Sequence, residues 1–238
     1  MLASTPAVAL KPGFADPGTV AGILLGGGVS VSGFTPPELQ AATVRAARDE
    51  EIVGQGEPAK YCHFVLSGCV RTVRLMRDGR RQVGEFLFAG DLFGWEALGE
   101  HHFGAEAVTC VTHLRYPQRR LEALAERDRI FAAQLRALTA GQLRANRDRM
   151  VLLGRKRAAE RIATFILEMA ARPGAEAETS IDLPMSRTDI ADYLGLTIET
   201  VCRGIARFRR EGLIAAERTR IVIRDRRALE LVGRESLH

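Results

Sequence analysis

Glu199, Thr200, Cys202, Arg203 and Arg207 lie within nine residues of one another, and their spacing puts them on one face if the segment is helical. Together they offer a guanidinium fork, a carboxylate, a hydroxyl and a thiol. Such groups read the edges of base pairs. Arg donates two bonds to the paired acceptors of guanine, a carboxylate accepts from an exocyclic amino group, and a small soft side chain lies against a thymine methyl. No nucleophile, base and orienter converge anywhere in the chain, so the sequence does not point to an enzyme.

The elements that must carry these residues are legible around them. In LPMSRTDIADYLGLTIETVCRGIARFRREGLI (Leu183 to Ile214), Ser186 is a candidate N-cap with Asp189 three residues on, opening a short helix that ends at Gly195. Thr197 then caps a second helix running through Arg210, stopped by Gly212. Ile190, Leu194, Leu196, Val201, Ile205 and Phe208 are spaced to pack the two helices together, which leaves Glu199, Thr200, Cys202, Arg203 and Arg207 free to enter a major groove. Ser186 and Arg187, at the mouth of the first helix, complete the set expected to touch DNA. The following LIAAERTRIVIRD alternates like a β-hairpin and completes a winged helix.

Charge supports the same surface. The 238 residues carry 34 basic and 29 acidic side chains, and only Lys11, Lys60 and Lys156 among the cations are Lys. An Arg bias follows from high-GC coding as well as from nucleic-acid binding, so position decides. From Glu199 to Arg227 nine Arg face four acids, a local excess of +5 equal to the net charge of the whole chain.

Upstream, residues 1–33 hold seven Gly and read as a flexible tail, and Gly26-Gly27-Gly28 lacks the spacing and the Lys-Ser/Thr of a phosphate loop. From Pro37, PELQAATVRAA reads as a short amphipathic helix. Residues 52–117 place nine glycines between short β-rich runs, the pattern of a small antiparallel barrel or sandwich. Gln118 to Ala171 contains no Pro and forms a helical spine bearing two stripes. Phe131, Leu135 and Leu138 form the first, for the β domain. Thr139, Leu143, Asn146, Met150 and Leu153 form the second, for the same helix of a second subunit. The division expected is a tail (1–33), a β-roll (34–125), a dimerisation helix (126–155) and a winged helix-turn-helix domain (156–238), an α+β architecture. Scattered cysteines at 62, 69, 110 and 202, with no targeting or membrane segment, suit a reducing cytoplasm.

The chain resembles the CRP/FNR family of bacterial transcription regulators across about residues 35–232. The resemblance is carried by FVLSGCVRT (Phe64 to Thr72), GEFLFAGDLFG (Gly84 to Gly94), AAERIATFIL (Ala158 to Leu167) and SRTDIADYLGLTIETVCR (Ser186 to Arg203). It implies a homodimeric regulator of double-stranded DNA, chiefly an activator, working with the sigma and alpha subunits of RNA polymerase. By the same resemblance the β-roll turn at Arg77 to Arg81 is the candidate sigma contact. Glu199, Cys202 and Arg203 match the family's Glu-x-x-Ser-Arg triad, whose half-site is TTGAT in a palindrome with a four-base spacer.

The departures from the family are informative. Members with an iron–sulfur cluster carry a cysteine trio near the N-terminus, whereas nothing before Cys62 is Cys, so no cluster is expected. Members that bind cyclic AMP place an Arg-Ser pair against the phosphate, whereas Glu96 to Cys110 contains no Arg. His101-His102, His113 and Cys62-His63 show no compact ligand spacing and read as solvated turn or core-edge residues; the alternative is a haem-dependent sensor of nitric oxide or oxygen. Neither cofactor nor metal is expected. What remains is similar to the FixK-like branch, implying control of low-oxygen respiration and nitrogen-fixation genes. Asn146 stands where the oxygen-labile members carry an Asp that repels its partner. Cys202 replaces the triad Ser beside Arg203 in the first turns of a helix, where a thiol is open to oxidation, so a redox switch stands beside passive replacement of Ser.

Overall fold

The computed structural model describes residues 39–95, 99–172 and 180–234. The expected tail, the triple glycine, Glu96 to Leu98 and most of the connection after Arg172 lie outside those residues.

Eight strands come first: β1 (Ala42–Ala46), β2 (Glu51–Val53), β3 (Tyr61–Ser67), β4 (Cys69–Leu75), β5 (Arg81–Phe88), β6 (Leu92–Phe93), β7 (Gly104–Ala107) and β8 (Val111–Pro117). They form two antiparallel four-stranded sheets, ordered β1-β8-β3-β6 and β2-β7-β4-β5. Val65, Val70, Leu87, Phe93, Ala107 and Val111 are buried together from both sheets, so the inner faces of the roll close on one another.

Among its described residues, the helix expected from Pro37 is not formed. Ala42 to Ala46 is instead a strand, paired with β8 from Ala42 opposite Arg115 to Ala46 opposite Val111. Alanine-rich composition favours helix locally, but β-branched Thr43 and Val44 suit a strand, and pairing with β8 satisfies the backbone of both.

The helical spine is three helices rather than one: α1 (Gln118–Arg127), α2 (Arg129–Arg155) and α3 (Ala158–Ala170). Asp128 makes the first break, because its carboxylate caps α2 by accepting from Ile130 N (2.8 Å) and Phe131 N (3.1 Å). Lys156 and Arg157 make the second with extended backbones. The first stripe of α2 meets the roll as expected: Phe131 is buried with Leu121, Leu124 and Phe64, and Leu135 packs against them.

The C-terminal part comprises β9 (Ser180–Asp182), α4 (Arg187–Leu194), α5 (Ile198–Arg210), β10 (Ile214–Glu217), β11 (Arg220–Ile223) and α6 (Arg226–Arg234). The hairpin expected after Gly212 is β10–β11, and β9 adds a third strand in the order β10-β11-β9. Helix α6 was not legible in the hairpin pattern. Leu229 on it is fully buried, and Lys156 Nζ ties its Gly233 carbonyl (2.9 Å) to Thr164 of α3 (2.7 Å).

One hydrophobic core runs through both halves. Val73, Val83 and Phe86 of the roll are buried in the same cluster as Phe165, Ile190, Tyr193, Val201 and Phe208. Phe86 and Tyr193 rings lie 5.1 Å apart, and Phe165 closes edge-on against both.

Candidate nucleic-acid interface

Helix α5 is strongly two-faced. Val201, Ile205 and Phe208 are buried, each burial being worth about 1.5–3 kcal/mol, while Glu199, Cys202, Arg203 and Arg207 are exposed and Thr200 is half-buried. Thr197 caps the helix by accepting from Thr200 N, as the sequence implied. Gly204 faces Ile162 of α3 so closely that a β-carbon there would collide with Ile162 Cδ1, so glycine lets α5 sit against the core.

The exposed row is electrostatically prepared. Its own backbone N–H and the Thr197 hydroxyl hold the Glu199 carboxyl below the usual carboxylate range, with Arg203 adding to the effect, so it stands ready as an acceptor. Arg203 leans towards Thr200 Oγ1 at 3.5 Å, a contact loose enough to exchange for a base. Arg207 pairs with Glu211 at 2.7 Å one turn on.

Helix α4 and the wing frame this row. Ser186 caps α4 in a reciprocal box with Asp189: Asp189 N donates to Ser186 Oγ (3.0 Å), and Ser186 N donates to Asp189 Oδ2 (3.0 Å). Gly195 ends the helix at φ 60°, the left-handed conformation that favours glycine. The Ser186 hydroxyl also donates to Asp189 at 2.7 Å, so its first role is in the cap. Arg187 Nη2 donates to Arg218 O (3.1 Å) in the wing turn. Burial lowers the Arg187 pKa.

Sequence reasoning missed what holds this unit. Arg161 on α3 donates to Leu153 O and Lys156 O at the end of α2 and to Leu194 O at the end of α4, all at 2.8 Å. Arg149 on α2 donates to Tyr193 O (3.0 Å) and stacks 3.4 Å over the Tyr193 ring. Orphan carbonyls at two helix ends thus receive cations, which also suit the negative end of each helix. Only the three-dimensional fold brings these arginines to their partners, so nothing in their spacing signals it.

The second stripe of α2 is largely uncovered in the single chain. Thr139 and Asn146 are exposed, Leu143 and Met150 are 52% and 73% exposed, and Val151, which the stripe omitted, is 57% exposed. Leu153 differs: it is half-buried against its own C-terminal core.

Two expectations need correction. Arg81 does not lie on a free turn; it binds Asp189 (2.7 Å) and Asp192 (2.9 Å), so only Arg77 to Arg80 remain on that surface. His63, His101 and His113 are buried, not solvated or at the core edge. His63 Nδ1 lies 3.3 Å from His113 Nδ1, and the His63 ring stacks on Phe93 at 4.9 Å. Burial, with the fields of His113, His101 and Arg115, pushes His63 down to about 3, so the ring is neutral at ordinary pH. Among the described residues no three His, Cys, Asp or Glu are grouped to hold a metal ion. Residues 99–110 contain no Lys or Arg.

Comparison with known proteins agrees with this arrangement. Residues 43–128 match the cyclic nucleotide-binding domain family and residues 160–232 the Crp-like helix-turn-helix domain family. The chain is similar to the nitrogen fixation regulation protein FixK of Azorhizobium caulinodans, 43% identical over 187 residues, covering 77% of this chain and 75% of that protein. It is also similar to the FixK of Rhizobium meliloti, 41% identical over 196 residues, covering 82% and 84%. The solved structure of FixK2 from Bradyrhizobium japonicum superposes with a TM-score of 0.78 at 42% identity, over 82% of this chain and 98% of that one. No described helix is long and apolar enough to cross a membrane. A β-roll, a long helix and a winged helix with an exposed basic face, in this order and with these relatives, make the chain a member of the CRP/FNR family of DNA-binding transcription regulators, on its FixK-like branch.

Proposed function

We propose that the chain acts as a homodimer that reads a TTGAT-like palindrome, each α5 lying in one major groove, and that it chiefly activates genes of low-oxygen respiration and nitrogen fixation. The observation that carries this is the exposed row of Glu199, Cys202 and Arg203 on a helix whose other face is buried. Arg203 takes the guanine, Glu199 an exocyclic amino group and Cys202 the thymine methyl, while Thr200, Arg207, Ser186 and Arg187 contact the flanking backbone. Thr139, Leu143, Asn146, Met150 and, at its edge, Leu153 form the subunit seam, and neutral Asn146 leaves it without like-charge repulsion. RNA polymerase sigma meets the exposed turn at Arg77 to Arg80, and the alpha subunit is a second contact. The relatives' names support the regulon; the uncovered stripe of α2 supports the dimer.

Arg203→Ala tests the assignment on operators carrying each base at the guanine position. Loss of about 1–3 kcal/mol on the cognate operator and near-equal affinity for the other bases is expected. Discrimination at the guanine equal to that of the wild type would reject it.

A further inference from the structure

Helix α4 touches α5 on one side and the β-roll on the other, and the roll grips it at both ends. Near its N-terminus the Asp189 carboxylate, 4% exposed, is 2.7 Å from Arg81 Nη2 and 3.3 Å from Arg71 Nη1. Near its C-terminus Arg81 reaches Asp192 Oδ2 at 2.9 Å, and Gln82 Nε2 donates to Asp192 O at 2.5 Å. Arg71 comes from β4, and Arg81 with Gln82 from the start of β5, where Leu75 pairs Arg81 and Arg74 pairs Gln82. Glu106 on β7 fixes the grip from behind, its Oε2 2.8 Å from Arg71 Nε.

Removing one member of such a cluster leaves a buried charge uncompensated. The consequence reaches DNA through geometry. Backbone continuity between the roll and the C-terminal half runs through Lys156 and Arg157, two extended residues between helices, which Arg161 and the Lys156 side chain tie to the C-terminal half. A dimer reading a palindrome must hold its two groove-entering helices about one helical turn, roughly 34 Å, apart. The grip on α4 adds a directional restraint, beside the shared core and the Arg149 contact to Tyr193, against the rotation that would change that separation.

We propose that Arg81, supported by Arg71 and Gln82, is a positioning site for operator recognition: by clasping Asp189 and Asp192 it sets the orientation of α5 against the dimer axis and so selects the half-site spacing. This rests on the dimeric reading of a palindrome. None of the three residues touches the exposed row on α5, so the effect is one of aim rather than of base contact.

The test measures binding of the full chain to operators whose half-sites are separated by three, four or five bases, for wild type, Arg81→Gln, Asp192→Asn, the two combined, and Arg81→Lys. Melting temperatures are recorded for each. Wild type is expected to prefer one spacing. Arg81→Gln and Asp192→Asn should each lose about tenfold on that operator and much less on the other two, and together no more than either alone. Arg81→Lys, which keeps a cation between Asp189 and Asp192, should retain the preference. Unchanged spacing preference in Arg81→Gln overturns the proposal, as does an equal fall on all three operators that tracks a lower melting temperature. A wild type that binds none of the operators removes the dimeric reading itself.

Discussion

At the scale of the residue, recognition depends on which groups on α5 are left uncommitted. Arg203 is held only by a 3.5 Å contact and is available to bases at little cost in broken bonds, whereas the ionised Glu199 accepts from its own backbone N–H and the Thr197 hydroxyl and must share or exchange them to take a base. Cys202 is exposed on this row. Its oxidation to sulfenate or sulfinate would bring bulk and negative charge against DNA. Peroxide is therefore expected to abolish operator binding by the wild type and to spare Cys202→Ser; equal sensitivity of the two proteins would make the Cys a passive replacement for Ser. The row itself was legible in the sequence because a helix with caps at Ser186 and Thr197 has only one way to face a core with Val201, Ile205 and Phe208. Arg81, Arg149 and Arg161 were not, because an Arg-rich chain offers many cations and only the fold decides which carbonyl or carboxylate each one meets.

Elements set how far that row can be trusted to stay in place. Gly204 lets α5 approach α3, and a β-carbon there would have to displace Ile162 Cδ1, the end of an almost fully buried side chain. Gly204→Ala should cost about 1–3 kcal/mol of stability in denaturant unfolding, more than the gain in helix propensity returns; a stabilised variant would show that α5 is free to shift. On α2, Asn146→Asp places like charges across the proposed seam and should raise the dimer dissociation constant, measured by light scattering, while leaving the fold intact. The first stripe of α2 was readable from its spacing, Phe131 and Leu135 packing on the roll, whereas Leu153 of the second turns to its own core. Its ends were not, because Asp128 is an ordinary residue in composition and becomes a cap only by turning its carboxylate onto Ile130 and Phe131. Strand β1 misled for a related reason: an Ala-rich stretch records helix propensity, whereas its partner β8 lies about seventy residues away.

Across the whole molecule, the roll and the winged helix share one core, so disturbance in one half is felt in the other. The buried histidines give this a pH signature. The folded His63 resists protonation until about 3, whereas the unfolded ring takes a proton near 6.5. Below 6.5 the unfolded state therefore binds the extra proton, and stability should fall as pH drops, by up to about 1.4 kcal/mol per pH unit for that proton, flattening near 3. His113, lowered in the same direction by burial, adds to the slope. Unfolding followed from pH 7 to 4 checks this, and His63→Phe should reduce the slope; an identical slope in that variant would remove His63 from the account. Asp189 acts lower still: Ser186, Arg71 and Arg81 together outweigh burial and hold its carboxyl below the usual range, so its contribution is complete above that range and lost only in stronger acid. The architecture at this scale was legible from the order of textures, β-rich, then helical, then helix-turn-helix. The shared core was not, since β-roll and winged-helix residues that meet in it are about a hundred positions apart.

The central claim, a dimer whose two α5 helices read two half-sites at once, is tested most directly by footprinting the purified protein on a palindrome of TTGAT half-sites and on the same DNA with one half scrambled, with the mass of the complex measured by light scattering. The expected result is one dimer per palindrome, protection of both halves together, and loss of protection on both when either is scrambled. A single chain per site, protecting a lone half-site as strongly as the intact palindrome, would contradict it.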